Sequence, residues 1–468
     1  MVTISRRNRS PWVWIVLIGV ALLVIGGLWL ASPRVLASSP QDGLTEAAND
    51  TVISVTFSRP MDPASVEGHF TVRPTIPGRF VWQADEMQYV PSQPWPDGSR
   101  VQISLSPGAL SRLFLPLLKG RDWSFEVGAP RLIYAAQAQG GAQLFDRDLS
   151  DAAGEALTKA PLGVLDFAVA TETGDLVYLT SAVKGGQAVH RVDVRSGQDD
   201  FLMNCPSQGC RRLQLSPDGT WLTLETQSNP NGNSTGLGEV WAAPADGSQS
   251  PFRLGERNHD VRNALWSPDS KLAAYDATGQ VMLVFAGPPD FHLVAEIPNK
   301  LGEMGAWSSD GQFLVYPEIV FVDQTGTPAP TFSGAPEFYS HLFRFDTASG
   351  GVTDLSGQEG GLIEDASPAY SPDGKWIAFA RKSLEPARWT LGRQLWLMRS
   401  DGSQSRRLTS QPIMNYSNFA WRPDSARLVY VQSDQSDPSR PPELGWLDVI
   451  SGQTHSLLEG GYAPKWIP

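Results

Sequence analysis

The chain has 468 residues, with 49 Asp and Glu against 37 Lys and Arg, a formal net charge of −12 at pH 7. That length suits two or three domains with their own cores, and the acidity, with no clustered Lys and Arg, excludes a nucleic-acid binder. Only Cys205 and Cys210 occur, which excludes a disulfide scaffold and a four-cysteine zinc site.

In chain order, residues 1–10 carry Ser5-Arg-Arg-Asn-Arg9 ahead of an uncharged run over 11–31, the length of a transmembrane helix. Arginines before the run predict a cytoplasmic N-terminus and an extracytoplasmic remainder, periplasmic or on the cell surface. A cleaved secretory signal is the alternative, since Val35-Leu36-Ala37 offers small-residue cleavage. Residues 32–49 are polar and read as a stalk linker. Over 50–129, short apolar runs at Val52–Phe57, Arg79–Trp82, Met87–Val90, Val101–Leu105 and Trp123–Val127 are separated by Pro and Gly turns, predicting a β-sandwich. Val55-Thr-Phe-Ser-Arg-Pro-Met-Asp62 and the closing Trp123-Ser-Phe125 resemble the bacterial Ig-like domain of envelope proteins. The resemblance implies a spacer or adhesive module.

From residue 130 to 468 one pattern recurs: an apolar run, a Ser-Pro-Asp-Gly-like turn, and a second apolar run. Clear copies are Leu213–Leu224, Ala264–Tyr275, Ala369–Phe379 and Phe419–Tyr430; looser ones are Ala306–Tyr316 and Asp166–Tyr178. The turn aspartates stand at 175, 218, 269, 310, 373 and 424, close to the period of one four-stranded propeller blade. Pro sets φ for such a turn and Gly supplies the positive φ that follows. A second turn, as in Pro244-Ala-Asp-Gly-Ser248 and Arg399-Ser-Asp-Gly-Ser403, joins the outer strands. These units resemble the TolB-like propeller repeat, which implies the fold and leaves function open. Arg131-Leu-Ile-Tyr134 has no inner strand before it, and Tyr462-Ala-Pro-Lys-Trp-Ile-Pro468 is an inner strand that stops at its turn. Pairing the two closes the ring with a shared blade and leaves no free edge. The expectation is therefore an all-β chain with seven blades, with the six usual in the family as alternative, after an Ig-like sandwich and one transmembrane helix.

The turns on one face are short and stereotyped, whereas Asn229–Gly236, Pro317–Phe338, Ser383–Arg393 and Asp434–Glu443 on the inter-blade face are long and varied. Loop variety on a rigid scaffold marks that face for binding. Residues just before each inner strand are expected to ring its central mouth: Asp166, Arg211, Arg212, Asn258, His259, Asp260, Glu303, Glu364, Asp365, Asn415 and Tyr416. Their carboxylates would focus negative potential on a cationic group, or merely solvate blade ends. Cys205 and Cys210 are expected to form a small disulfide. No cofactor and no metal is expected: the six histidines lack ligand spacing. The functional expectation is a membrane-anchored binding or scaffold protein whose propeller holds an envelope protein or glycan. A carbohydrate-active enzyme, lyase or hydrolase, and a purely architectural surface protein are the alternatives.

Overall fold

The computed structural model describes residues 31–47, 51–147, 149, 154–182, 185–207, 209–227, 236–321, 338–357 and 362–467. The chain divides into two compact units, Met1–Ala129 and Pro130–Pro468.

The first unit is a two-sheet sandwich. Its strands are β1 (Val35–Ser39), β2 (Leu44–Ala47), β3 (Ile53–Phe57), β4 (Phe70–Arg73), β5 (Gly78–Gln83), β6 (Glu86–Pro91), β7 (Arg100–Leu105) and β8 (Arg121–Val127), with a short helix α1 (Pro63–His69) between β3 and β4. One sheet runs β1-β3-β6-β5 and the other β2-β8-β7-β4. Alternation decides which side chains face inward: in β3, Ile53, Val55 and Phe57 are buried while Ser54 and Thr56 are less so. They meet Met87, Trp95, Val101, Ile103, Leu105 and Phe125 in one core.

Two expectations need correction here. The segment 32–49 is not simply a stalk: β1 pairs antiparallel with β3 and β2 pairs parallel with β8. Edge strands held by backbone bonds need no apolar alternation, so the polar composition concealed them. The fold class also changes, because no helix among the described residues is long and apolar enough to cross a membrane. The span expected over 11–31 falls, except for Ala31, outside the described residues.

The second unit is a β-propeller of seven blades among the described residues. Blades 2, 3 and 4 are built from residues 164–204, 211–254 and 261–298, and blades 5, 6 and 7 from 306–354, 363–407 and 414–459. Blade 1 takes three strands from residues 131–156 and its inner strand, Gly461–Ile467, from the other end of the chain, with Gly461 opposite Ala136 and Trp466 opposite Leu132. A ring closed by both ends has no exposed inner edge. Neighbouring inner strands are pegged by tryptophan: the Trp421 indole donates to the Ala369 carbonyl at 3.0 Å, and Trp466 donates likewise to Ala420 at 3.2 Å. Second strands are covered on both faces by adjacent blades, so they read as unbroken apolar runs; Leu176, Val177, Tyr178 and Leu179 are all buried.

Candidate functional site

The stereotyped turns occupy their own polar groups. In blade 3 the Ser216 hydroxyl donates to Asp218 at 2.6 Å and accepts the Trp221 N–H at 2.9 Å. Ser308 and Ser371 repeat the arrangement with Asp310 and Asp373. The Ser308 hydroxyl and the Gln312 N–H hold the Asp310 carboxyl below its usual range, because hydrogen bonds to the ionised form favour it. Gly219, at φ +70°, supplies the left-handed residue of the turn.

Within these inner strands the register slips at a bulge, with positive φ at Arg212, Asn263, Ser367, Asn418 and Ala463. Bulges re-aim side chains and leave ladder groups unpaired, and carboxylates from the preceding blade take up some of them. Asp166 accepts the Leu213 N–H at 2.9 Å, joining blades 2 and 3. Glu225, fully buried, accepts the Asn263 N–H and joins blades 3 and 4. Burial drives the Glu225 carboxyl above its ordinary value, although Arg212, the Asn263 N–H and Arg211 pull it down.

The expected mouth residues therefore separate into groups. Arg211 and Arg212 lie 3.9 and 3.7 Å from Glu225. Asp260 accepts the Gly238 N–H at 2.7 Å and pairs with Arg262, while Asn258 is exposed at φ +70°. His259 meets Asp276 at 2.6 Å, and that hydrogen bond raises the imidazole above its usual range. Two residues do not face a mouth at all. Asp365 is fully buried and takes both Arg381 nitrogens, at 2.6 and 2.7 Å, along with the Ser356 hydroxyl. Tyr416 is 2% exposed and packs edge-on to Tyr430 in the core between blades 6 and 7. Strand alternation sends each of these side chains into a blade interface rather than toward the axis.

Glu303, in the link into blade 5, and Glu364 and Asn415, on blades 6 and 7, do come together around Arg393. The Arg393 guanidinium is 3.3 Å from Glu364, and the backbone N–H of Arg393 donates to the Asn415 side-chain oxygen at 3.1 Å. Glu303 is reached by solvent yet hemmed in by protein, and this crowding raises its carboxyl; Arg393 opposes the shift and Glu364 adds to it. Arg393 and Glu225 were missed by sequence reasoning. Their partners lie on other strands, and only the blade register could have aligned them. Lys465 was missed too: on the closing strand, 5.8 Å from the Phe167 ring, it is pushed down by desolvation and partly restored by Asp166.

Two loops singled out for their variety wall neighbouring clefts. The first, of about 440 Å³, is lined by residues of blade 6 and its 384–393 loop, including Arg381, Glu385, Arg388, Trp396 and Arg407. The second, of about 250 Å³, is lined by residues of blade 7, including Asp434, Arg440, Glu443 and Glu459. Gln394 of the first donates to the carbonyl of Met414 in the second at 3.1 Å. Arg381 is already neutralised by Asp365 and Arg388 faces Glu385 at 3.6 Å, so Arg407 leaves the first cleft with positive character. In the second, Asp434 pairs with Arg440 at 3.2 Å, whereas Glu443 and Glu459 stand directly opposite on adjacent strands. Like charges so placed repel and give that cleft negative character. The loops Asn229–Gly236 and Pro317–Phe338 lie largely outside the described residues. Cys205 and Cys210 form a disulfide with Cα atoms 6.3 Å apart. Among the described residues no group of three His, Cys, Asp or Glu is placed to hold a metal.

Residues 31–127 match the bacterial Ig-like domain family. Over those residues the chain is similar to a bacterial Ig-like domain. The match begins ahead of β1, in agreement with the strand pairing above. An uncharacterized protein of Agrobacterium fabrum is 28% identical over 54% of this chain and 79% of its own length. Among solved structures, TolB from Acinetobacter baumannii is 12% identical, covering 93% of this chain and 100% of its own, with a TM-score of 0.44. A periplasmic gluconolactonase from Pseudomonas aeruginosa is 17% identical over 72% of this chain and 99% of its own, with a TM-score of 0.47. Likeness at that level carries no argument about activity, and the propeller assignment rests on the strand pairing itself.

Proposed function

We propose that this chain is an extracytoplasmic binding protein whose propeller holds a protein partner on the inter-blade face, across the clefts of blades 6 and 7. The observation that carries the reading is their opposite charge, positive around Arg407 and negative around Glu443 and Glu459. A polypeptide carrying both signs complements this pair, whereas a uniformly acidic glycan would be repelled by one half. The extracytoplasmic setting is supported by the Cys205–Cys210 disulfide, since such bonds persist in oxidising compartments, and by the Ig-like domain.

The test is capture from envelope extract by the wild type, by Arg407→Glu, by Glu459→Lys, and by the turn-face control Asp246→Ala. A protein retained by wild type and control, lost from both cleft variants, and recaptured as purified material supports the reading. Capture of a glycan alone, turnover of a captured saccharide, or equal capture by all four overturns it.

A further inference from the structure

The Ig-like domain carries a feature that its core does not need. The loop after β7 presents Leu113, Phe114 and Leu118 to solvent at 74%, 80% and 50% exposure. Three large apolar side chains exposed within six residues of one loop are a denser display than the scattered exposure normal on surfaces.

The backbone displaying them is tightly held. Ser111, 1% exposed, donates its N–H to the Leu115 carbonyl at 2.9 Å; its hydroxyl accepts the Leu115 N–H at 3.1 Å, and its carbonyl accepts the Phe114 N–H at 2.8 Å. Arg112 N–H reaches the Pro60 carbonyl at 3.1 Å, and Leu117 is buried beneath. Phe114 itself has φ +60°, a left-handed conformation unfavourable for a bulky side chain and retained where the surroundings impose it. The loop thus fixes its apolar tip outward instead of letting it fold back onto the core.

Within the loop itself the charge is one-sided. From Ser106 through Arg121 the sequence contains Arg112, Lys119 and Arg121 and no Asp or Glu, in a chain of net charge −12. Arg112 and Lys119 are exposed and lie in no ion pair among the described residues. The acids nearest along the chain and by backbone hydrogen bond are Asp122, next to Arg121, and Asp62, whose N–H bonds the Leu110 carbonyl at 2.9 Å. An apolar tip rimmed by cations is the pattern that seats in the boundary between headgroups and acyl chains of an anionic bilayer.

We infer that Leu113, Phe114 and Leu118 dock the Ig-like domain peripherally on an anionic lipid surface, with Arg112 and Lys119 at the headgroups. This is a contact with one leaflet, not a span, and it is independent of the propeller's partner.

The test places a nitroxide spin label on Leu113→Cys, on Leu118→Cys, and on the control Ser92→Cys in the full chain, whose two native cysteines are bonded to each other. Thermal melting confirms that each labelled chain folds. Oxygen and nickel-chelate accessibilities are then measured with vesicles of phosphatidylcholine alone and mixed with phosphatidylglycerol. Because each label reports its own depth, attachment through another part of the chain does not imitate the result. The expected outcome is oxygen-rich, nickel-poor surroundings at 113 and 118 but not 92, only with the anionic vesicles, and binding at least about tenfold weaker for Leu113→Ser with Phe114→Ser. Labels that stay in water, or that enter neutral and anionic vesicles alike, overturn the proposal.

Discussion

Arg381 grips Asp365 through two nearly parallel hydrogen bonds of 2.6 and 2.7 Å, with both side chains 4% exposed or less. The strands that carry them are neighbours in blade 6, and Asp365 stands directly opposite Arg381. Removing one partner strands the other charge in a dry interface, so Asp365→Ala is expected to cost about 3–5 kcal/mol. Replacing both with apolar residues, Asp365→Leu with Arg381→Met, is expected to cost less than the single change. Chemical denaturation of the two variants beside the wild type checks the order.

The blade turns give a second prediction. Ser371 is fully buried, and its hydroxyl accepts the Trp376 N–H at 3.0 Å while donating to Asp373 at 2.6 Å. Ser371→Ala leaves that N–H without its acceptor and should destabilise by about 1–3 kcal/mol. Ser403→Ala, in an outer turn where Asp401 takes the backbone N–H of residue 403 at 2.9 Å, should change stability by no more than about 0.5 kcal/mol. Thermal melting of the two variants side by side separates these outcomes.

His259 makes a pH prediction. Its hydrogen bond to Asp276 raises the imidazole above its ordinary value of 6.5. A group whose folded value is raised contributes stability that is fully present below the unfolded value and is lost as pH rises through the folded one. The contribution should therefore be complete below about pH 6.5 and fade above it. Asp276→Asn should move the His259 titration, followed by its ring-proton NMR signal, back downward.

The disulfide has a modest role. The bond between Cys205 and Cys210 closes a loop with a sequence separation of 5, for which the chain-entropy account gives about 2 kcal/mol. Cys205→Ser with Cys210→Ser should lose about that much. Reducing agent should lower the wild-type melting temperature and leave the double variant unmoved.

These cases show what a single sequence discloses here and what it does not. The blades were legible because Ser216-Pro-Asp-Gly219 and its relatives are local devices, complete within six residues. Ring closure was legible because Arg131 and Tyr462 begin half-blades of complementary kind. The mouth was not, because the fate of a carboxylate depends on a partner elsewhere in the chain. Glu364 and Asp365 are adjacent, yet one meets Arg393 at the surface and the other is sealed against Arg381. The strands β1 and β2 escaped for the same reason, since their polar residues gain their place from β3 and β8.

The central claim concerns which face of the propeller meets a partner, and photocrosslinking addresses it most directly. A benzophenone side chain is placed at Trp389, 51% exposed on the 384–393 loop, and in a second chain at Asp246, on the opposite turns. Illumination in envelope extract should give one discrete protein adduct from position 389 and none from 246. An adduct from 246 alone, or none from either, would contradict the account.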